Sequence, residues 1–331
     1  MEISEIGDIT VRTFLIVLCI VLATLLLLLL ALMLYFFFYA FYRRDTPSLE
    51  DMTAPENRFI GPFAAEIAEG IAFINSLPFE KVYTTSYDGL RLAGKYYPVE
   101  GLGAPELSDS DRTMILFHGY HGSGKRDYSC AVKMYMELGY NILLIDERAN
   151  GESEGKLITF GVKERYDVLS WIDFVLSKQG ADTKICLGGL SMGAAVVMMA
   201  AGLNLPKNVV SIVADCGFTS PAEILAHVAN ANYHLPGKIA VGCLNIFCKL
   251  LGGFSLYQVK TTETLAASDI PILFIHGKAD NFVPCYMTER SFEAAKAEKY
   301  ICLVEGAGHG LAYLTDKETV GKALKNFLLC H

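Results

Sequence analysis

Lys184-Ile185-Cys186-Leu187-Gly188-Gly189-Leu190-Ser191-Met192-Gly193-Ala194-Ala195-Val196-Val197 decides the reading of this chain. Its first five residues are an apolar run of strand length, and Ala194 to Ala201 is a run of small and apolar residues that predicts a helix packed close against a sheet. Between them stands Gly189-Leu190-Ser191-Met192-Gly193, a Gly-x-Ser-x-Gly frame. A strand that reverses sharply into a helix forces the turning residue into a strained backbone conformation, so the residues two before and two after must lack bulk. Gly189 and Gly193 meet that demand, and the pattern marks a nucleophile elbow. The elbow would hold the Ser191 hydroxyl above the sheet edge and aim the Met192 N–H, at the new helix's N-terminus, toward a developing oxyanion.

A serine attacks poorly unless a base takes its proton, and the base needs an acid to fix its tautomer and stabilise its charge. The order to look for is Ser, then Asp or Glu, then His. Pro271 to Gly277 reads as a strand, and the loop after it carries Asp280, the expected acid. Tyr300 to Val304 reads as the next strand, and Glu305-Gly306-Ala307-Gly308-His309-Gly310 after it carries His309, the expected base. Glu305 is a rival acid on the same loop as the base. His227, His234 and His331 lie in other segments, and His276 precedes the acid loop and is expected to serve that turn. Each expected partner closes its own strand, where ligands of open α/β sheets gather.

Arg112 to Phe117 predicts an earlier strand, followed by the turn His118-Gly119-Tyr120-His121-Gly122-Ser123-Gly124. With His118-Gly119, the loop Asp146-Glu147-Arg148-Ala149-Asn150-Gly151-Glu152-Ser153-Glu154-Gly155, the elbow, Asp280 and His309 all in place, residues 80 to 330 resemble the α/β-hydrolase superfamily, specifically its membrane-anchored bacterial members related to serine aminopeptidases and monoacylglycerol lipases. The resemblance implies that the Tyr120 N–H joins that of Met192 in an oxyanion hole. It also implies an α/β-hydrolase fold. The Asp146 loop departs from the usual pattern by carrying Ala149 where glycine is common.

The same turn offers a competing motif. Gly119-Tyr120-His121-Gly122-Ser123-Gly124-Lys125 matches the Gly-x-x-x-x-Gly-Lys core of a phosphate-binding loop, and Ile142 to Asp146 mimics the acidic strand that accompanies it. Arg126 stands where such a loop needs a Ser or Thr hydroxyl for Mg²⁺, which argues for a turn that serves an oxyanion and not a nucleotide.

From Thr13 to Tyr42 the sequence carries no charge. At roughly 1.5 Å per residue such a run exceeds the ~20 residues needed to span a bilayer. A cleavable signal would have a shorter apolar region and a small-residue cleavage site, and neither is present. Tyr35, Tyr39 and Tyr42 suit an interfacial belt, and Arg43-Arg44 outweigh the single Arg12 on the other flank, so the positive-inside rule places the body in the cytoplasm. The nine cysteines include no Cys-x-x-Cys pair, and Cys186, Cys216, Cys285 and Cys302 stand singly in or beside apolar strands, a pattern that fits a reducing compartment. Cys243 and Cys248 are a pair that could bridge if the body faced outward, with packed thiols the favoured reading. No metal site or cofactor is expected, and a formal net charge of −8 with no basic stripe disfavours nucleic acid as a partner.

The expected organisation is an N-terminal tail over residues 1–12, a single-pass anchor over 13–42, a juxtamembrane connector over 43–79 and the α/β body over 80–331. Pro47, Pro55 and Pro62 break the connector's start, and Phe63, Ile67, Ile71 and Ile74 form a helical stripe expected to pack on the body. The body opens with a hairpin turning at Asp88-Gly89 and continues as alternating strands and helices, a mostly parallel sheet between helical layers. Gly101 to Asp111 reads as an acidic surface loop. Residues of about 217–268 are too many for a simple crossover and predict a helical cap, whose apolar segments Ile224-Leu225, Val228, Ile239-Ala240-Val241, Leu244, Ile246-Phe247 and Leu250-Leu251 either pack on the core or wall an acyl pocket. A chain beginning near Asp45 is expected to be soluble or loosely attached. The expected activity is hydrolysis of carboxylic esters, of a lipid or another small molecule. Peptidase chemistry is the alternative within the enzyme class, and a catalytically silent, membrane-tethered binding module the alternative outside it.

Overall fold

The computed structural model describes residues 3–45, 60–99 and 111–331. The expected breaks at Pro47 and Pro55, and all of the expected acidic loop except Asp111, lie outside the described residues. Eight strands form one sheet in the order β1-β2-β4-β3-β5-β6-β7-β8: β1 (Glu80–Thr85), β2 (Arg91–Tyr97), β3 (Arg112–Phe117), β4 (Asn141–Ile145), β5 (Lys184–Leu190), β6 (Val209–Asp215), β7 (Ile272–Gly277) and β8 (Lys299–Val304). Only β2 runs against its neighbours; the pairs from β4 to β8 are parallel. The hairpin turns at Gly89, whose φ of 88° is open to a residue without Cβ.

The helices begin with α1 (Ile3–Phe41), α2 (Ala64–Ser76), α3 (Val132–Glu137), α4 (Glu164–Gln179) and α5 (Met192–Ala200). They continue with α6 (Pro221–Tyr233), α7 (Gly237–Phe247), α8 (Thr261–Ala266), α9 (Tyr286–Ala294) and α10 (Lys317–Cys330). Central parallel strands are buried on both faces, so they read as continuous apolar runs. β3 and β4 are buried at every position. One face packs Val168, Trp171 and Ile172 of α4 and Ala194 and Val197 of α5 against Ile115, Leu187 and Ile212. The other packs Ile74 of α2, Val132 of α3 and Leu324 and Phe327 of α10 against Met114, Leu116 and Leu273. The expected stripe on α2 does dock, with Ile67 and Ile74 buried.

Between β6 and β7 the chain makes the expected helical excursion. Ser220 caps α6 by accepting the Glu223 N–H at 3.2 Å, with Pro221 in the first turn. α7 runs into a π turn over Cys248–Gly252 that ends at Gly253 with φ 66°.

α1 differs from expectation in two respects. It begins at Ile3, so residues 3–12, taken as part of a tail, are helical. Its C-terminal end is also part of the body. Phe37 and Phe41 are 1% and 0% exposed, in a third core with Phe160, Phe218, Phe254, Val241 and Val283. Phe41 meets Phe160 at 5.5 Å and Phe254 at 5.7 Å between ring centroids, and Phe37 meets Phe247 at 6.4 Å. The last carbonyls of a helix have no intrahelical partner. Here Phe41 C=O accepts the Ile158 N–H at 2.8 Å and Ala40 C=O accepts the Tyr120 hydroxyl at 2.9 Å. Arg43 continues the junction, its guanidinium donating to the Ser153 carbonyl at 2.7 Å and to that of Gly151.

Candidate active site

Ser191 sits between β5 and α5 with φ 56° and ψ −112°, a conformation that costs a non-glycine residue of the order of 1–3 kcal/mol and persists only where its surroundings enforce it. The enforcement is close packing. A Cβ on Gly193 would stand 2.0 Å from the Phe117 carbonyl oxygen, and one on Gly189 would stand 2.3 Å from that of Gly193. Those two glycines let β3, β5 and α5 converge. The Ser191 N–H is held by the Asp215 carbonyl at 2.8 Å, which fixes the hydroxyl over the carboxyl end of the sheet.

The loops after β7 and β8 bring Asp280 and His309 to that hydroxyl. His309 Nε2 lies 2.8 Å from Ser191 Oγ, and His309 Nδ1 lies 2.6 Å from Asp280 Oδ2. With its proton on Nδ1, His309 donates to Asp280 and accepts from Ser191. Asp280 is buried, which alone would raise its carboxyl. Hydrogen bonds from His276 and His309 outweigh that, joined by the Val283 N–H, and hold it well below the usual carboxylate range. Its Oδ1 accepts the Phe282 and Val283 N–H groups at 2.8 and 2.9 Å. His276 serves this turn, as expected, bonding the Val283 carbonyl at 2.9 Å and Thr288 Oγ1 at 2.7 Å. Glu305 points to solvent and pairs with Lys278 at 2.5 Å, so of the two carboxylates only Asp280 reaches the imidazole. His227 bonds the Asn281 carbonyl at 3.3 Å, and His234 ends α6 in the left-handed region; neither meets Ser191.

Met192 opens α5, so its N–H lies among the helix donors without an intrahelical acceptor. Tyr120 lines the cleft with Ser191. Its hydroxyl is committed to α1, and its ring stacks on Phe160 at 5.1 Å.

The phosphate-loop resemblance of this turn has a structural answer. Asp127 Oδ2 accepts the Gly119 N–H at 2.8 Å and lies 2.5 Å from where a Gly122 Cβ would stand. Arg126 pairs with the same carboxylate at 2.6 Å. A carboxylate of the chain itself therefore fills the concavity a phosphate would need, and Lys125 turns away to Asn75 at 2.5 Å. We expect Lys125→Ala to keep most of the hydrolytic rate, with ATP and Mg²⁺ changing nothing; ATP turnover lost in that variant would reverse the assignment.

The Asp146 loop is structural. Arg148 pairs with Asp167 at 2.6 Å and Asp88 at 2.9 Å, tying the first hairpin to α4. Ala149, where glycine was expected, does adopt φ 61°, so the loop keeps its shape and carries strain at a buried alanine.

Ser191 lies between two chambers, each of about 300 Å³. One is apolar, walled by Leu225 and Val228 of α6, Leu244 of α7 and, unforeseen in the sequence, Met33, Phe36 and Tyr39 of α1. The apolar cap segments thus divide: Ile224, Leu225, Val228, Ala240 and Leu244 line this chamber, Val241 is buried, and Ile239, Ile246, Leu250 and Leu251 are exposed. The other chamber is lined by Tyr128, Tyr313 and Leu314 with Arg126, Asp127 and Asp215. Asp215 Oδ1 has no hydrogen-bond partner among the described residues. Burial pushes its carboxyl up to about 6 against the pull of His276 and His309. Phe282 stands edge-on to His309 at 5.1 Å and borders both chambers. Cys216 Sγ also lies near Asp280 and His309, and burial drives its thiol pKa far up. Cys243 and Cys248 are both free thiols.

Comparison with known proteins agrees with this architecture. A family model for the alpha/beta hydrolase fold matches residues 112–238. Protein YqkD of Bacillus subtilis is 29% identical over 220 residues, 66% of this chain and 72% of that protein. Protein YfhR of Escherichia coli K12 is 27% identical over 233 residues, 70% and 73% of the two chains. Among solved structures, the Pyrococcus furiosus esterase Pf2001 superposes with a TM-score of 0.59 at 22% identity, over 76% of this chain and 92% of that one. At that identity the likeness is one of fold.

Proposed function

We propose that this chain, an α/β hydrolase by fold, is a membrane-anchored serine hydrolase that cleaves carboxylic esters of apolar acyl groups. The observation that carries the reading is the hydrogen-bonded line from Asp280 through His309 to Ser191, with the serine lining an apolar chamber. In this reading His309 takes the Ser191 proton as the hydroxyl oxygen attacks the ester carbonyl, and the Met192 and Tyr120 amides hold the oxyanion. The alcohol leaves with the proton returned by His309. Water then repeats the sequence on the acyl-enzyme and releases the acid. Residues of about 217–268 serve as the cap.

The anchor reading is supported by α1. Val11–Phe41 is long and apolar enough to cross a bilayer, and cleavage after the apolar run would strip Phe37 and Phe41 from the core. The positive-inside rule acts on the chain as it inserts, so both Arg43 and Arg44 count toward a cytoplasmic body. Protease added to intact cells is expected to spare the catalytic domain, and digestion there would overturn this placement.

The experiment that tests the activity is an acyl-length series. Each methylene buried is worth about 0.8 kcal/mol, nearly fourfold in binding, so kcat/KM should climb through several carbons and medium-chain esters should outpace acetyl esters. Leu244→Ala and Val228→Ala, which enlarge the chamber, should flatten that climb more than they lower acetyl-ester turnover. A flat or falling profile would remove the apolar-acyl reading. A second reading, an aminopeptidase, is favoured by the Asp215 carboxyl in the other chamber, a suitable partner for a substrate ammonium; faster cleavage of aminoacyl amides than of matched acyl esters would select it. Absence of fluorophosphonate labelling in the folded wild type would leave only a silent binding module.

A further inference from the structure

α1 is exposed at every residue from Val11 to Leu32. Those 22 residues span about 33 Å as a helix, close to the ~30 Å hydrocarbon core of a bilayer. Met33, the next residue, is the first of α1 to line the apolar chamber, followed by Phe36, Tyr39 and Ala40. The chamber's wall on α1 therefore begins directly after this exposed stretch. Across it stand Tyr233 and Leu235, both partly exposed, with Tyr233 edge-on to Phe36 at 5.8 Å.

α7 continues this surface. At 100° per residue, Ala240, Leu244 and Phe247 share the side of the helix that meets α1 and the chamber, whereas Val241, Asn245 and Cys248 face the body. The stripe next round the helix is Ile239, Cys243 and Ile246, of which Ile239 is 67% and Ile246 56% exposed. Large apolar side chains this exposed, on a helix packed beside a membrane span, lack a protein partner among the described residues, and the apolar surface they prolong is that of α1 itself.

We propose that the Ile239–Ile246 face of α7 lies in the bilayer beside α1 and that the acyl chamber fills laterally from that leaflet, through the seam between α1 and the cap. This rests on the acyl-ester reading for what enters and on the anchor reading for α1. The occupant of the face is the lipid bilayer. In this arrangement the anchor does more than tether the body. It supplies one wall of the acyl site and sets the height of the opening, so an acyl chain passes from lipid to Ser191 without crossing water.

The test uses the full chain in vesicles of a non-hydrolysable diether phosphatidylcholine. Trp171 is the single tryptophan and is fully buried, so an introduced tryptophan reports its own surroundings. Fluorescence of Ile239→Trp is expected to be quenched by lipids brominated on their acyl chains and protected from aqueous iodide. Iodide quenching without bromine quenching would overturn the membrane face. A second arm compares Ile239→Glu/Ile246→Glu with wild type on a medium-chain monoacyl ester held in the vesicles and on a water-soluble acetyl ester. Charge on a lipid-facing surface is expected to cost about tenfold or more on the vesicle-borne ester and less than about twofold on the soluble one. Fluorophosphonate labelling should be retained in the same variant. Equal losses on both esters would overturn lateral filling. If wild type hydrolyses neither ester and takes no label, the acyl-ester reading fails and the route falls with it, while the quenching still decides whether the face is in lipid.

Discussion

Ser191→Ala is expected to abolish ester hydrolysis and fluorophosphonate labelling while leaving the fold intact. The hydroxyl forms the acyl-enzyme in the proposed reaction, and its removal takes away one oxygen without disturbing the glycine contacts that shape the turn. Loss of such a nucleophile costs on the order of 10⁴ or more in rate. Alanine also accepts φ 56° no worse than serine does, so the thermal midpoint should scarcely move. Asp280→Asn and His309→Ala should each cost a large part of the same factor, and combining them with Ser191→Ala should add little, because the three act as one unit. Glu305→Gln should be nearly silent, since that carboxylate pairs with Lys278 at the surface. Labelling that persists in folded Ser191→Ala, or a larger loss from Glu305→Gln than from Asp280→Asn, would defeat the assignment.

A chain beginning at Asp45 is expected to misfold or aggregate. This reverses the expectation drawn from sequence, where the uncharged run looked separable from the body. Truncating a buried Phe costs about 3–5 kcal/mol, and removing α1 takes both Phe37 and Phe41 from the third core, along with the hydrogen bonds at Tyr120 and Ile158. The two rings touch at 5.3 Å, so their contributions are not independent. Even so the loss is comparable with the whole net stability of a typical domain, ~5–15 kcal/mol. A chain beginning near Met33 keeps the docked turns and should fold in mild detergent. Circular dichroism melts and gel filtration of the two truncations decide the matter: a soluble, cooperatively melting chain from Asp45 would show that α1 merely rests on the body.

The turn at Ser191 and the two residues that reach it, Asp280 and His309, were legible because each is marked by a local rule. Gly189 and Gly193 flank a serine at fixed spacing, and Asp280 and His309 follow apolar runs of strand length in the required order. Periodicity likewise located the strands, β3 to the residue. What sequence alone did not reveal depends on contacts between distant segments. Nothing near Phe37 distinguishes it from Phe38, yet the first is buried and the second 46% exposed, because only the fold decides which side of α1 meets Phe254. The sorting of the cap into chamber-facing Leu244 and solvent-facing Leu251 has the same origin. Asp215 went unnoticed because a carboxylate at the end of a strand is ordinary until burial leaves one oxygen unpaired. The turn after β3 was ambiguous in sequence and was resolved by Asp127, whose role is invisible without the bend that carries it back to Gly119.

The docked end of α1 also bears on the order in which the molecule matures. The ribosome delivers Phe37 and Phe41 early, whereas their partners Phe160, Phe247 and Phe254 emerge far later in the chain. Contacts of such long sequence separation form slowly, since the intervening chain must be closed before they repay it. The sheet is not finished sooner, since β7 and β8 follow Phe254 in the chain, so the aromatic seam closes along with the last strands of the sheet. The chamber walled by Met33 and Phe36 of α1 and Leu244 of α7 therefore takes shape only when nearly the whole chain has been made.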